Sequence, residues 1–340
     1  VSKLPLRSLA LPLQKMNKLT TTIFSRSAEL PPLCGGAFFH SETLFRIYEQ
    51  TPRMRPFMAV VTDEAGRVRS QLLAVVCYRM SLLPPYLYRH CRIYGEGAYA
   101  PGSEASREQL FELMLKALGR RIQRKVLYTE ISNLSNKMFG YRVLKAQRFF
   151  PVKWMSIHNS LHNKRPEERL GERTRLKIAH ALQRGAVTRE VHTEEDLLLF
   201  YRLMNRHNLL KPRRYIPGIQ FFRGLMGCRQ ARLFITLARD KVVGCCACVS
   251  SGGNAYLWYS AFLRKTYVKY HPDTITMWQA IKDAEASGQA HIFFMDVGLP
   301  YMRNPFREFI LRFGGKPVST FRWFHTNIPW ANRLMEVLKQ

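Results

Sequence analysis

The chain has 340 residues, and 53 Lys+Arg against 24 Asp+Glu give it a formal net charge of +29. With 46% hydrophobic and 23% charged residues it is ordinary globular material for two domains, not a disordered chain; no apolar run nears the ~20 residues of a membrane span, and seven cysteines without framework spacing exclude a disulfide scaffold. The charge excess favours polyanionic partners such as nucleic acid, anionic lipid or a phosphorylated substrate.

Residues 1–18 hold a few basic and apolar residues interrupted by Pro5 and Pro12 and lack the apolar core of a signal peptide, so a disordered leader is expected there. In a first domain, 19–162, "SETLFRIYEQ" reads as a helix capped by Ser41, and "PFMAVVTDEAGRVRSQLLAVVCY" reads as a hairpin turning at Asp63 to Gly66. "CRIYGEGAYA" is a third strand, "SREQLFELMLKALGRRIQRK" a long amphipathic helix and "VLYTEIS" a strand. "NLSNKMFGYRVLKAQ" reads as a helix and "FFPVKWMSIHNS" as the closing strand. Residues 163–185 form an Arg-rich helix that links or clamps the halves, with Glu and Arg at i to i+4 distances.

The second domain, 186–340, repeats the order. A strand "AVTREVH" and two helices, "EEDLLLFYRLMNRH" and "IPGIQFFRGLMG", precede the strands "ARLFITLA" and "VVGCCACVS", which join through a tight turn at Arg239 to Lys241. Strand alternation puts Cys246 and Cys248 on one face and Cys245 on the other, which suits small buried side chains better than a metal clamp. A reduced, cytoplasmic location is expected. "AYLWYSAF" is a third strand; Asp273 or Thr274 caps "TITMWQAIKDAEASG"; and "HIFFMDV", continuously apolar until Asp296, reads as a central strand. Asn304 caps and Pro305 opens a last helix whose apolar face is Phe306, Phe309, Ile310 and Phe313; Gly314 stops it before the strand "KPVSTFRWFH". The fold class expected is α/β (α+β), two tandem domains, each a mixed, mostly antiparallel central sheet flanked by helices. The histidines lack metal-ligand spacing and Gly-x-Ser-x-Gly is absent, so no metal and no nucleophile elbow are expected.

This order, doubled, and the phrase "FFMDVGLPYMRNPFREFILRFGGKPVSTFRWF" resemble the GNAT acyltransferase superfamily, in its tandem Fem-type branch of peptidoglycan-bridge aminoacyltransferases. The resemblance rests on Asp296-Val297-Gly298, Phe306-Arg307 and Phe313-Gly314-Gly315, with weaker support from "RTRLKIAHALQRGAV" and "FFHSETLF". It implies an N-acyltransferase that moves an acyl or aminoacyl group from acyl-CoA, aminoacyl-tRNA or another carrier onto an amine. The acceptor would be a small molecule or a cell-wall precursor. The family's pyrophosphate loop should follow "AYLWYSAF", but "LRKTYVKYHPDT" contains no glycine. Donor phosphates would then rest on Arg264, Lys265 and Lys269 and the helix start at Asp273 and Thr274.

The resemblance further implies that "AYLWYSAF" and "HIFFMDVG" splay apart to grip the donor. Tyr259 on the first is the candidate acid toward the leaving group; Asp296 on the second is the candidate base for the amine. Arg213, Arg214 and Tyr215 make a basic, aromatic patch suited to a single-stranded tRNA end, and Arg303 and Arg307 complete the candidate substrate-binding set. A tRNA-dependent enzyme acting on a peptidoglycan precursor is the narrower reading. A non-catalytic binder of RNA or an anionic membrane surface is the reading from another class.

Overall fold

The computed structural model describes residues 19–80, 86–103, 105–134, 136–208, 215–295 and 297–338, with side chains to 335. In the first half lie β1 (Thr20–Phe24), α1 (Glu42–Gln50), β2 (Met54–Thr62), β3 (Val68–Met80), β4 (Leu87–Tyr94), β5 (Ala98–Tyr99), α2 (Arg107–Ile122), β6 (Tyr128–Ser132), α3 (Tyr141–Ala146) and β7 (Phe150–Ser160). Then come α4 (Glu172–Gln183), β8 (Val187–Glu190), α5 (Glu194–Asn208), α6 (Ile219–Met226), β9 (Ala231–Ala238), β10 (Lys241–Ser251) and β11 (Asn254–Phe262). The chain closes with α7 (Pro272–Ala286), β12 (His291–Phe294), α8 (Pro305–Leu311), β13 (Lys316–Thr326) and α9 (Pro329–Leu338).

Local chemistry accounts for most boundaries. Ser41 accepts from the Leu44 amide at the start of α1, and Ser106 and Gln109 form a capping box on α2. Arg239 and Asp240 both take positive φ, 50° and 60°, which matches a two-residue hairpin whose twist suits its strands. The expected helix over 133–147 shrinks to α3, whose start is set by Gly140 at φ 66°. β1 and α9 are elements the hydrophobic pattern did not announce.

The two halves do not keep separate sheets. Strands run β1-β2-β3-β4-β6-β13-β7-β12-β11-β10-β9-β8 in one continuous sheet, with β5 on β3. Each half therefore lends its last strand to the other: β13 pairs with β6 and β7 pairs with β12, both antiparallel, while β13 and β7 pair along nine residues in the middle. Helices cover both faces. On one face α1, α5 and α6 bury Phe45, Phe200, Phe221 and Phe222 over both halves. On the other, α2 and α3 cover the first half, and α4, α7 and α8 cover the second. Ile178 and Ala181 of α4 are buried in that second core, so the basic helix is a packed element as well as a connection. Cys245 packs into the shared core and Cys246 and Cys248 into the opposite one, as alternation requires; none of the seven cysteines forms a disulfide.

β12 does lie in the middle of the sheet, but its pairing stops at Phe294, earlier than the apolar run suggested. Gly244 is fixed by packing: a Cβ there would collide with Thr276 Oγ1, because the first turn of α7 lies directly on β10.

Candidate active site

β11 and β12 run parallel only from Asn254–His291 to Leu257–Phe294. Beyond that point β11 continues to Phe262 beside β10 alone, so a wedge opens between the two strands. A β-bulge coincides with the parting: Tyr259 faces Ala247 and Leu257 faces Cys248, leaving Trp258 as the extra residue. The bulge resets the alternation and turns both Trp258 and Tyr259 toward the shared core.

Next to this wedge the central strands carry charge where strands normally carry apolar side chains. Arg92 of β4 lies opposite Glu130 of β6, and Arg322 of β13 reaches the same carboxylate. Glu130 Oε1 accepts from Arg92 Nη2 at 3.2 Å and from Arg322 Nη1 at 3.1 Å. Arg322 also donates to the Met295 carbonyl at 3.2 Å and lies over the Trp154 ring at 4.0 Å. A cavity of about 60 Å³ opens beside it, lined by Ser132, Asn133, Trp154, Tyr256, Met295 and Arg322 among others. Tyr256 and Phe293 stack along one wall at 5.2 Å. Trp154 Nε1, a donor, and Asn133 Oδ1, an acceptor, are buried with no hydrogen-bond partner among the described residues. Such groups are costly when unmatched and are suited to a ligand that supplies one acceptor and one donor.

The sequence-derived residues fall into distinct environments. Tyr259 is buried against Phe221 and Phe222; burial, with Tyr94 beside it, pushes its phenol well above the usual range while Arg92 opposes the shift. Tyr215 is half-buried edge-on to His90 at 5.5 Å, and burial, with Cys77 alongside, raises its phenol, so it is a packed ring and not a free stacking platform. Asp296, Arg213 and Arg214 lie outside the described residues. The residues flanking Asp296 are held firmly: Met155 donates to the Gly298 carbonyl at 3.1 Å and Asn304 Nδ2 to the Val297 carbonyl at 2.9 Å.

Arg307 is turned inward onto that loop, donating to the Leu299 and Met302 carbonyls at 2.7 Å each. The expected substrate contact is thereby corrected to a loop clamp, since its guanidinium is engaged by backbone. Arg303 pairs with Glu308 on the surface at 3.3 Å, apart from it. Asn304 Oδ1 accepts from the Phe306 and Arg307 amides while its Nδ2 holds Val297. Asn304→Ala should therefore lower stability by about 1–2 kcal/mol, as loss of a helix cap does. Urea unfolding reads that loss, and faster proteolysis within 297–304 should accompany it.

The expected donor-phosphate set is arranged differently from the expectation. α7 starts at Pro272, with His271 at φ 42° before it, so neither Asp273 nor Thr274 is the capping position. Asp273 Oδ1 accepts from the Thr274 amide at 2.8 Å and its other oxygen pairs with Arg264 Nε at 3.5 Å. A carboxylate thus occupies the helix start where a phosphate would need bare amides. Thr274 is buried, while Lys265 and Lys269 are exposed on the loop. In the first half, the glycine turn 95–97 also has its amides engaged: Gly95 donates to the Ser132 carbonyl and Gly97 to His40 Nε2.

Sequence reasoning missed Arg92, Glu130, Arg322, Trp154 and Asn133. The available signal was a lone charge on the alternating face of three strands, in "CRIY", "YTEIS" and "FRWF".

Residues 169–303 match the family model of the acetyltransferase (GNAT) domain. The second half is a GNAT domain. The whole chain has the tandem, Fem-like GNAT fold: FemX is similar over 82% of this chain and 90% of its own, with a TM-score of 0.57 at 13% identity. A tandem GNAT protein from the clavulanic acid biosynthesis pathway is similar over 91% and 99%, TM-score 0.54, 11% identity. L-PGS from Bacillus licheniformis is similar over 90% and 93%, TM-score 0.56, 11% identity. No curated protein matches the chain by sequence. The GNAT domain makes the chain an acyltransferase, and the strand exchange about β13 and β7 is the form its tandem fold takes.

Proposed function

We propose that this acyltransferase moves an aminoacyl or acyl group from an activated ester carrier onto an amine seated in the central cavity. The observation that carries the reading is the parting of β11 from β12 directly beside that cavity, which leaves strand backbone free to hold a donor carbonyl. The amine nitrogen attacks the acyl carbon; the new C–N bond forms, the C–O or C–S bond to the carrier breaks, and the amine proton passes to a base. Asp296, which follows Met295 directly, is the carboxylate assigned to take that proton. Tyr259, held protonated by its burial, is the donor assigned to the leaving oxygen or sulfur.

An aminoacyl ester is favoured over coenzyme A as carrier because Asp273 sits at the start of α7 and Ser106 and Gln109 cap α2, so neither helix end offers bare amides to a pyrophosphate. FemX and L-PGS share the fold; on this reading the acceptor is a cell-wall or lipid amine and aminoacyl-tRNA is the donor.

The test is direct binding of acetyl-CoA, a long-chain acyl-CoA and aminoacyl-tRNA to the purified chain at two salt concentrations. Preference for charged over uncharged tRNA, weakening with salt, is the expected result. Tight binding of a coenzyme A ester would overturn the carrier assignment, and tRNA bound with no preference would favour a non-catalytic binder. In the transfer assay Asp296→Asn should slow turnover by about 10²–10⁴-fold; an unchanged rate would remove Asp296 as the base.

A further inference from the structure

Away from the acyl-transfer site, at the opposite end of β4 from the Tyr94–Gly95 turn, a cavity of about 450 Å³ opens between the end of β1, the start of β2 and the C-terminus of α2. Arg26, Arg55, Arg89, Arg121 and Lys125 line it, with Glu49 as its single carboxylate. Among the described residues none of the five cations forms an ion pair. Arg89 lies over the Tyr78 ring at 4.8 Å, and Glu49 accepts from the Ser27 amide. This pocket has the chemistry of a phosphate site: several cations, a volume that admits a headgroup, and an apolar floor of Phe57 and Val76.

Its surroundings specify where the phosphate comes from. Met80 and Leu87, directly paired at the ends of β3 and β4, are 69% and 68% exposed, and Tyr86 beside them is 65% exposed. The same rim continues across the sheet through Tyr78 opposite Arg89, Leu127 N–H to the Arg89 carbonyl and Asn327 N–H to the Leu127 carbonyl. It then reaches Trp330, 70% exposed at the start of α9. Three strand steps from Tyr78 to Asn327 span roughly 14 Å. Exposed apolar and amphipathic aromatic side chains grouped with cations are the composition of a face that rests in a lipid headgroup layer. No helix among the described residues could cross a membrane, so the attachment would be peripheral.

We propose that this rim is a docking face for an anionic phospholipid surface, with one lipid phosphate seated in the basic cavity and Met80, Tyr86, Leu87 and Trp330 entering the interface. Because β11 and β12 run in the opposite sense to β4 and β6, their wedge opens toward this same end of the sheet. Docking would thus turn the acyl-transfer cleft to the lipid surface.

Co-sedimentation with phosphatidylcholine vesicles, with and without phosphatidylglycerol, tests the proposal. The wild-type chain should bind the anionic vesicles and not the neutral ones. Replacing Arg55, Arg121 and Lys125 by Gln should lower partitioning on the order of a hundredfold, since each cation at the surface contributes about a factor of five. Leu87→Ser with Trp330→Ser should lower it on the order of tenfold with the charge intact. Both variants change exposed side chains, and an unchanged unfolding midpoint confirms that they fold. Undiminished vesicle binding by either variant overturns the proposal. So does a chain that takes up inorganic phosphate in the cavity, or tRNA through the same cations, while ignoring anionic vesicles. None of these readouts depends on acyl transfer, so failure here is separable from failure of the proposed reaction.

Discussion

Replacing Glu130 by alanine is expected to lower the unfolding free energy by about 3–5 kcal/mol, the cost of leaving buried charge without its partner. The Glu130 side chain is 8% exposed and its partners Arg92 and Arg322 are 18% and 10% exposed, so water can replace little of what the carboxylate provides. Removing it sets two guanidinium groups against each other across β6, on the two strands that flank it, in a medium of low polarity. Arg322 is also tied to the Met295 carbonyl and to Trp154, so the change should loosen the segment that leads into Asp296. Urea unfolding gives the stability. The triple replacement of Arg92, Glu130 and Arg322 by apolar residues of similar size distinguishes a stabilising device from a functional one. Such replacements are often neutral or stabilising. The triple variant should therefore recover most of the stability lost by Glu130→Ala, and should still transfer poorly, because the cavity wall has lost its charge. A drop below 1 kcal/mol for the single variant would mean that solvent reaches the cluster and that it is not a buried network.

Much of this architecture was legible because alternation and capping are local. Ser41, Asn304 and the turn at Arg239–Asp240 act within a few residues of themselves, and each gave its element correctly. The doubling was legible for the same reason, as two runs of like elements. The strand exchange was not: whether β7 and β13 stay home or cross depends on pairings more than 130 residues apart, and either arrangement buries the same alternating faces. The charged cluster was hidden in the same way. Arg92, Glu130 and Arg322 are each an unremarkable charge in a short strand, and only the long-range register brings them to one point. The cap of α7 was misread because Asp273 and Pro272 both suit a helix start. Proline took the first helical position and left the cap to His271.

The chain should lose about 4 kcal/mol of stability between pH 7 and pH 5, chiefly through two histidines. His40 is fully buried and His90 nearly so, and burial lowers both to about 3, with Arg92 adding to the effect at His90. The backbone amides of Leu73 and Gly97 face the two ring nitrogens of His40; the neutral ring has one accepting nitrogen for them, and a second ring proton would remove it and set donor against donor at both. His90 stacks on Tyr128 at 5.3 Å, and its Nδ1 has no partner among the described residues to receive a charge. In the unfolded chain these rings take up protons near pH 6.5, whereas in the folded protein they stay neutral until about pH 3. The unfolded state therefore binds more protons throughout that window, and stability falls as pH drops below 6.5. At pH 5 the solution lies about 1.5 pH units below the unfolded value of each ring, which amounts to about 2 kcal/mol per ring. His158, His271 and His291 are also lowered but are less buried, so they add smaller amounts in the same direction. The lowered carboxyls of Asp63, Glu167 and Glu194 lose their partners only below about pH 4.5, outside the range measured. Urea unfolding at pH 7, 6 and 5 reads the slope. His90→Leu should halve it, because that side chain has no proton to gain, and the variant remains foldable because an apolar ring-sized group fills the place beside Tyr128. A flat profile between pH 7 and 5 would show that both rings are charged in the folded protein, which would require solvent at Leu73 and Tyr128 where the packing leaves none.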